Sequence, residues 1–138
     1  MNRKILLVDE WRAVRLLGRR VLASLGFQTR EARSGLEALE VFVLEPDIAA
    51  VLLDWKPEDE HCLELLKRVQ ALPRRARPLV IACAESLEKA QIVAALQAGA
   101  DEFLQKPYGR ETLREKLKQL GIAEFDHSGR AEIASSTC

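Results

Sequence analysis

Four ionisable side chains follow apolar runs along the chain, and together they could support phosphoryl chemistry. Asp9 and Glu10 come directly after the run KILLV, Asp54 comes directly after IAAVLL, and Lys106 follows DEFLQ. Three carboxylates brought together repel one another, so one of them would protonate unless a cation neutralises the group. Carboxylate oxygens with open positions suit Mg²⁺, and a lysine can meet an incoming anion. A metal, a lysine and Asp54 as nucleophile are components of phosphoryl transfer, which depends on placement and charge neutralisation.

Each of these residues also has a simpler explanation when it is taken alone. Asp9 or Glu10 could cap the helix that follows, because carboxylates accept hydrogen bonds from free helical amides. Asp54 could be a loop residue bonded to nearby amides, and Lys106 could be a surface lysine. Their common position after apolar runs favours a shared site.

The elements that must position these residues form a βα unit repeated five times. Continuous apolar runs predict strands buried on both faces, and apolar residues spaced three or four apart predict helices. The predicted strands span residues 4–8, 27–32, 48–53, 79–84 and 101–105, and the predicted helices span about 11–25, 35–45, 60–72, 86–98 and 110–120. Because no hairpin pattern separates two strands, right-handed crossovers predict a doubly wound α/β fold with a parallel sheet. The carboxyl ends of its strands, where ligands bind in such folds, then meet at one edge.

The helical spacing also predicts which side chains face the sheet. The expected inward residues are Val14, Leu17, Val21 and Leu25 in the first helix, Leu36, Leu39, Phe42 and Val43 in the second, Leu63, Leu66 and Val69 in the third, Ala90, Val93 and Leu96 in the fourth, and Leu113, Leu117 and Leu120 in the fifth. Trp55, next to Asp54, is expected to pack at the surface.

Length and charge exclude several classes of protein. The 138 residues suffice for one domain, residues 1–120, followed by a polar segment at 121–138 that is predicted to be a mobile tail. The 21 basic residues balance the 21 acidic ones, so neither nucleic acid nor an anionic membrane is an expected partner. No apolar stretch is long enough to span a membrane, and the three cysteines lack metal-site spacing. A cytoplasmic protein with reduced thiols is therefore expected.

Three segments, ILLVDE, LLDW and AGADEFLQKPY, resemble the receiver domain of two-component response regulators. The resemblance covers residues 3 to 120 and is closest to stand-alone, chemotaxis-type regulators. It implies a flavodoxin-like sandwich with a five-stranded sheet in the order 2-1-3-4-5.

The resemblance also implies a role for each of the matching residues. Asp9, Glu10 and the backbone carbonyl of Lys56 would bind Mg²⁺ together with Asp54. Asp54 would accept a phosphoryl group from a sensor histidine kinase or a phosphotransfer protein, and Lys106 would contact that group.

Two further positions would couple phosphorylation to the switch of such a domain. The family places Thr or Ser at the end of the fourth strand, where this chain has Ala84, and an aromatic residue on the fifth, matched by Phe103. Losing a hydrogen bond to a charged group costs about 1.5–3 kcal/mol, so the resemblance implies a weaker switch. Ser86 lies two residues too far along to be assumed as its replacement.

These residues leave three functions to be considered. The first is a phosphoacceptor that signals by docking a partner protein through the fourth helix, fifth strand and fifth helix, and is not an enzyme in its own right. The second is a phosphorylation-independent interaction module, uncoupled by Ala84. The third, a phosphatase or flavin carrier on the same topology, is disfavoured. The phosphatases need an acid where Lys56 stands, and Asp9 and Glu10 would repel a cofactor phosphate.

Overall fold

The computed structural model describes residues 4–122, which form five strands and five helices in strict alternation. The strands are β1 (Lys4–Val8), β2 (Gln28–Ala32), β3 (Ile48–Asp54), β4 (Leu79–Ala84) and β5 (Glu102–Gln105). The helices are α1 (Arg12–Ser24), α2 (Gly35–Leu44), α3 (Glu60–Gln70), α4 (Lys89–Ala98) and α5 (Arg110–Gln119), with a short 3₁₀ turn at Arg74–Ala76 between α3 and β4. Every predicted strand and helix is therefore present.

All five strands pair in parallel, in the order β2-β1-β3-β4-β5. The doubly wound α/β fold expected from the sequence is confirmed. The three strands at the centre are the apolar ones, and β2, which contains Thr29, Arg30 and Glu31, lies at an edge where polar side chains are tolerated.

Alternation along the strands divides the core between the two faces of the sheet. In β1, Ile5 and Leu7 pack with α1 and α5, whereas Leu6 and Val8 pack with α2, α3 and α4. A strand that is covered on both faces needs apolar side chains at every position, which explains its continuous apolar run.

The predicted inward faces are correct for most of α1, α3 and α5, correct for half of the residues in α2 and wrong for α4. In α2, Leu39 and Phe42 pack against the core as predicted, whereas Leu36 and Val43 are exposed. Ala90, Val93 and Leu96 of α4 are exposed, and so is Leu17 of α1. Gly35 and Ala38 complete the buried face of α2, and Ile92, Ala95 and Ala98 form that of α4. Both helices carry apolar residues around most of their circumference, so spacing alone did not identify the face that small residues bring close to the sheet.

The predicted start of α4 is also wrong by three residues. Ser86 lies in the loop after β4, where its hydroxyl accepts a hydrogen bond from the amide of Glu88 at 3.1 Å, and the helix begins at Lys89.

The chain continues past α5 for three described residues, Leu120, Gly121 and Ile122. Gly121 has a φ of 88°, and Ile122 packs beside α5, with its amide donating to the carbonyl of Leu117 at 2.8 Å. The rest of the predicted tail, residues 123–138, lies outside the described residues. Within residues 4–122, no helix has the length and apolar character needed to cross a membrane.

Candidate functional site

The carboxyl ends of β1, β3 and β5 bring three of the predicted residues into direct contact. The ammonium of Lys106 lies 2.8 Å from Oδ2 of Asp9 and 2.8 Å from Oδ1 of Asp54, reaching across the end of β4. All three side chains are largely buried. One lysine therefore neutralises two carboxylates that would otherwise repel each other.

A second lysine–carboxylate pair lies outside the first. Nζ of Lys56 forms a short hydrogen bond with Oε1 of Glu10 and lies 3.8 Å from Oδ2 of Asp54. Both side chains are partly exposed. The structure thus brings together every predicted residue of the acidic site, with its charges satisfied by ammonium groups.

Burial and pairing shift the pKa values of the two central groups. Burial raises the pKa of Asp54 above its usual value, and the hydrogen bond from Lys106 only partly opposes this shift. Burial would lower the pKa of Lys106, but its hydrogen bonds to Asp54 and Asp9 outweigh burial and raise that pKa. Lys106 is therefore held as a cation beside a carboxylate whose charge is disfavoured by burial.

The backbone around Asp9 is fixed by contacts that the sequence did not predict. Arg15, one turn into α1, donates to the carbonyl of Asp9 at 2.8 Å while its Nε pairs with Glu31 of β2 at 3.0 Å. Oδ1 of Asp9 accepts the amide of Trp11 at 2.9 Å, but Trp11 is itself the N-cap residue of α1 and no side chain caps that helix, so the alternative of Asp9 or Glu10 as a helix cap is wrong. The spacing of Arg15 on the polar side of α1 was the only sequence pattern that could have indicated this contact.

The donor chemistry of the site fits a hard divalent cation. Oxygens of Asp9 and Asp54 converge on the ammonium of Lys106, which marks a position where one cation meets both carboxylates. The carbonyl of Lys56 accepts the amide of Asp59 at 3.0 Å and retains a second lone pair. Glu10 would have to leave Lys56 to join them. As the side chains stand, residues 4–122 contain no group of three acidic, histidine or cysteine side chains ready to hold a metal.

The two predicted switch positions lie on the opposite face of the sheet from α1. Ala84 ends β4 and Phe103 is buried in β5, in the cluster that packs against α4. Ser86 lies two residues further along, in the loop after β4, where its hydroxyl accepts the Glu88 amide and keeps its own O–H proton to donate.

Trp55 is buried, so the expectation that it packs at the surface is wrong. Its side chain is 6% exposed and belongs to the core cluster that contains Ala84 and Phe103. Its backbone amide continues the β3–β4 pairing with a 2.8 Å bond to the carbonyl of Cys83, which brings the residue into the sheet. Its Nε1 has no hydrogen-bond partner among the described residues.

A cavity of about 480 Å³ opens beside these groups. Its lining includes Asp54, Lys106, Trp55 and Ala84. The acidic site and Trp55 therefore border the same cavity.

The two cysteines in the described residues take no part in this chemistry. Cys62 and Cys83 are free and buried, and burial raises the pKa of each thiol to about 12. A thiol with such a pKa is protonated at neutral pH and is a poor nucleophile or metal ligand.

Comparison with known proteins gives one consistent result. The family model for the response regulator receiver domain matches residues 5–118. Chemotaxis protein CheY-3 of Vibrio cholerae is 33% identical over 120 residues, which cover 86% of this chain and 92% of that protein. Chemotaxis protein CheY1 of Helicobacter pylori is 32% identical over 117 residues, covering 83% of this chain and 94% of that protein.

Solved structures agree on the fold. A response regulator from Thermotoga maritima superposes with a TM-score of 0.74 at 25% identity, covering 87% of this chain and 98% of that one. The chemotaxis response regulator CheY4 of Vibrio cholerae gives 0.74 at 21% identity, over 87% and 99% of the two chains.

Proposed function

We propose that this chain, which belongs to the response regulator receiver family, accepts a phosphoryl group on Asp54 in the presence of Mg²⁺. The observation that supports this best is the contact of Asp54 with Lys106 at 2.8 Å, beside Asp9, at the carboxyl edge of the sheet. A carboxylate nucleophile, a cation for the transferred group and oxygen ligands for a metal are thus adjacent.

The reaction is a transfer to a carboxylate. An oxygen of Asp54 forms a bond to phosphorus while the bond from phosphorus to the donor breaks. From a phosphohistidine donor the leaving group is the imidazole of histidine, which takes up a proton, and from acetyl phosphate it is acetate. Asp9, Glu10, Asp54 and the carbonyl of Lys56 would hold Mg²⁺, which would neutralise charge on the transferred oxygens. Once Asp54 is an acyl phosphate, Lys106 donates to a phosphoryl oxygen instead of to the carboxylate.

The partners follow from this role. The donor is a sensor histidine kinase or a phosphotransfer protein, and the phosphorylated chain docks a downstream protein in the cytoplasm. The docking surface is the face formed by α4, β5 and α5, where Leu87, Val93 and Leu96 are exposed apolar side chains. A receiver of this kind is a signalling domain that assists its own phosphorylation and dephosphorylation.

A second candidate is a phosphorylation-independent interaction module. Ala84 favours it, because the residue at the end of β4 supplies no hydroxyl to a phosphoryl group. Under this function the two lysines hold the acidic site permanently closed.

Intact-mass measurement after incubation with acetyl phosphate separates the two. We expect the chain to gain one phosphoryl group, only when Mg²⁺ is present, because Asp54 is the acceptor. Asp54→Ala should gain none. Asp47→Ala is the matched control, since this exposed aspartate lies at the opposite edge of the sheet and pairs with Lys4, and it should be labelled like the wild type.

Labelling without Mg²⁺, or labelling that survives in Asp54→Ala, would contradict the assigned site. No labelling under any condition, together with unchanged tryptophan fluorescence on adding Mg²⁺, would favour the interaction module.

A further inference from the structure

The indole N–H of Trp55 is a buried hydrogen-bond donor without an acceptor. Nε1 is inaccessible to solvent and bonds to nothing among residues 4–122. Buried donors in native structures are nearly always paired, so an unpaired one indicates a role in another state of the protein.

The register of the sheet places Trp55 beside Ala84, at the carboxyl edge that also carries Asp54. Asp54 pairs with Cys83, and the next bond runs from the amide of Trp55 to the Cys83 carbonyl, so Trp55 follows in register beside Ala84. Paired residues on neighbouring parallel strands lie about 4.8 Å apart and point to the same face. The indole therefore packs next to the short side chain of Ala84.

The same two residues border the space into which a phosphoryl group on Asp54 would extend. Trp55, Ala84, Asp54 and Lys106 all line the 480 Å³ cavity. Ala84, the last residue of β4, has no hydroxyl of its own to supply.

We propose that the Nε1–H of Trp55 donates a hydrogen bond to a phosphoryl oxygen on Asp54, and so reports phosphorylation to the core beneath α4. This inference rests on the proposed function. In the resting state the donor is unsatisfied, and in the phosphorylated state an anionic acceptor becomes available. A contact that exists in only one state shifts the population toward that state.

Beryllofluoride, an unreactive mimic of the phosphoryl group, tests the proposal in the presence of Mg²⁺. The chain has two tryptophans, so its ¹H–¹⁵N spectrum contains two indole resonances, which Trp55→Phe and Trp11→Phe assign. We expect the Trp55 indole proton to move downfield and to exchange more slowly with solvent when beryllofluoride binds. The Trp11 indole, on a side chain that is 64% exposed, should move little.

Binding constants from backbone amide shifts give the second measurement. Trp55→Phe should bind beryllofluoride about tenfold more weakly or worse, because a hydrogen bond to a charged group is lost. Trp11→Phe should bind like the wild type. Adding Ala84→Thr to Trp55→Phe should restore most of the lost affinity, since a hydroxyl then occupies the neighbouring position.

Two results would overturn the inference in different ways. An unmoved Trp55 indole in the wild type, with unchanged affinity in Trp55→Phe, would remove the role of Trp55 and leave the proposed function intact. A wild type that binds no beryllofluoride would refute both. The wild-type indole shift does not depend on any variant, so a poorly folded Trp55→Phe protein would not prevent a decision.

Discussion

At the scale of single residues, the charge of Asp54 opposes the stability of the fold. Burial raises the pKa of Asp54, and Lys106 offsets this only in part. The folded state therefore holds the proton more tightly than the unfolded chain, whose carboxyl titrates near 3.8. The contribution of Asp54 to the free energy of unfolding is fully present below pH 3.8, and it is lost as the pH rises through the pKa that Asp54 has in the folded state.

Asp54→Asn should accordingly raise the free energy of unfolding at pH 7 in Mg²⁺-free buffer. Asparagine is uncharged and nearly isosteric, so it resembles the protonated form that the folded state prefers. The gain should shrink as the pH falls toward 3.8, where the wild-type carboxyl becomes protonated too. Urea unfolding of both proteins at pH 4, 5 and 7 measures this.

Asp47→Asn supplies a control of opposite sign. Hydrogen bonding to Lys4 lowers the pKa of Asp47, so loss of its charge should not stabilise the fold. A loss of stability in Asp54→Asn at pH 7 would show that the ion pair with Lys106 outweighs the cost of burial.

At the scale of elements, the close approach of α2 and α3 depends on one glycine. A Cβ added at Gly35 would lie 2.8 Å from the backbone nitrogen of Cys62 and 2.9 Å from Cβ of His61. Neither atom is the end of a flexible side chain, so the helices themselves would have to move apart.

Gly35→Ala should therefore lower the free energy of unfolding by about 1–3 kcal/mol, as overpacking does. Gly109→Ala is the matched control, because a Cβ there meets nothing within 4 Å and only the cap of α5 changes. Its cost should stay below about 1 kcal/mol. Chemical denaturation measures the free energy of unfolding of both variants. Equal losses in Gly35→Ala and Gly109→Ala would mean that the α2–α3 contact adapts to the added Cβ without cost.

Strands and helices differ in how far the sequence determines them. The five strands and their parallel pairing could be predicted, because βα units repeated without a hairpin leave only a parallel sheet, whereas the strand order was implied by the resemblance to receiver domains. The buried face of α4 could not be predicted, and that of α2 only in part, since in α2 apolar residues such as Val43 lie outside the stripe formed by Ala38 and Leu39.

The candidate site likewise contains some contacts that the sequence predicts and others that it does not. Asp9, Asp54 and Lys106 were predicted to meet because strand ends in a parallel sheet share an edge. The bracing of the Asp9 backbone by Arg15 and the burial of Trp55 depend on side-chain packing across elements, which a spacing pattern does not encode.

At the scale of the whole molecule, the fold itself supplies lysine ammonium groups that neutralise the carboxylates at the edge of the sheet. Lys106 and Lys56 pair with Asp9, Asp54 and Glu10, so no metal is required to relieve their repulsion. Folding and metal binding should therefore be separable in this chain.

Addition of a chelator to the metal-free protein should leave its melting temperature unchanged, whereas Mg²⁺ should raise it. A ligand of the folded state at ten times its Kd adds about 1.4 kcal/mol of stability. For a domain of this size that corresponds to a rise of roughly 3–5 °C, which thermal unfolding monitored by circular dichroism can detect. Asp9→Asn should lose the response. Unfolding by chelator would indicate that the metal is part of the fold.

The side-by-side packing of Trp55 and Ala84 also makes substitutions at these two positions interdependent. A side chain introduced at 84 meets the indole while tryptophan is at 55, and it meets a smaller ring once phenylalanine is there. The effects of substitutions at residues in contact do not add. The consequence of Ala84→Thr for stability therefore depends on which residue occupies position 55.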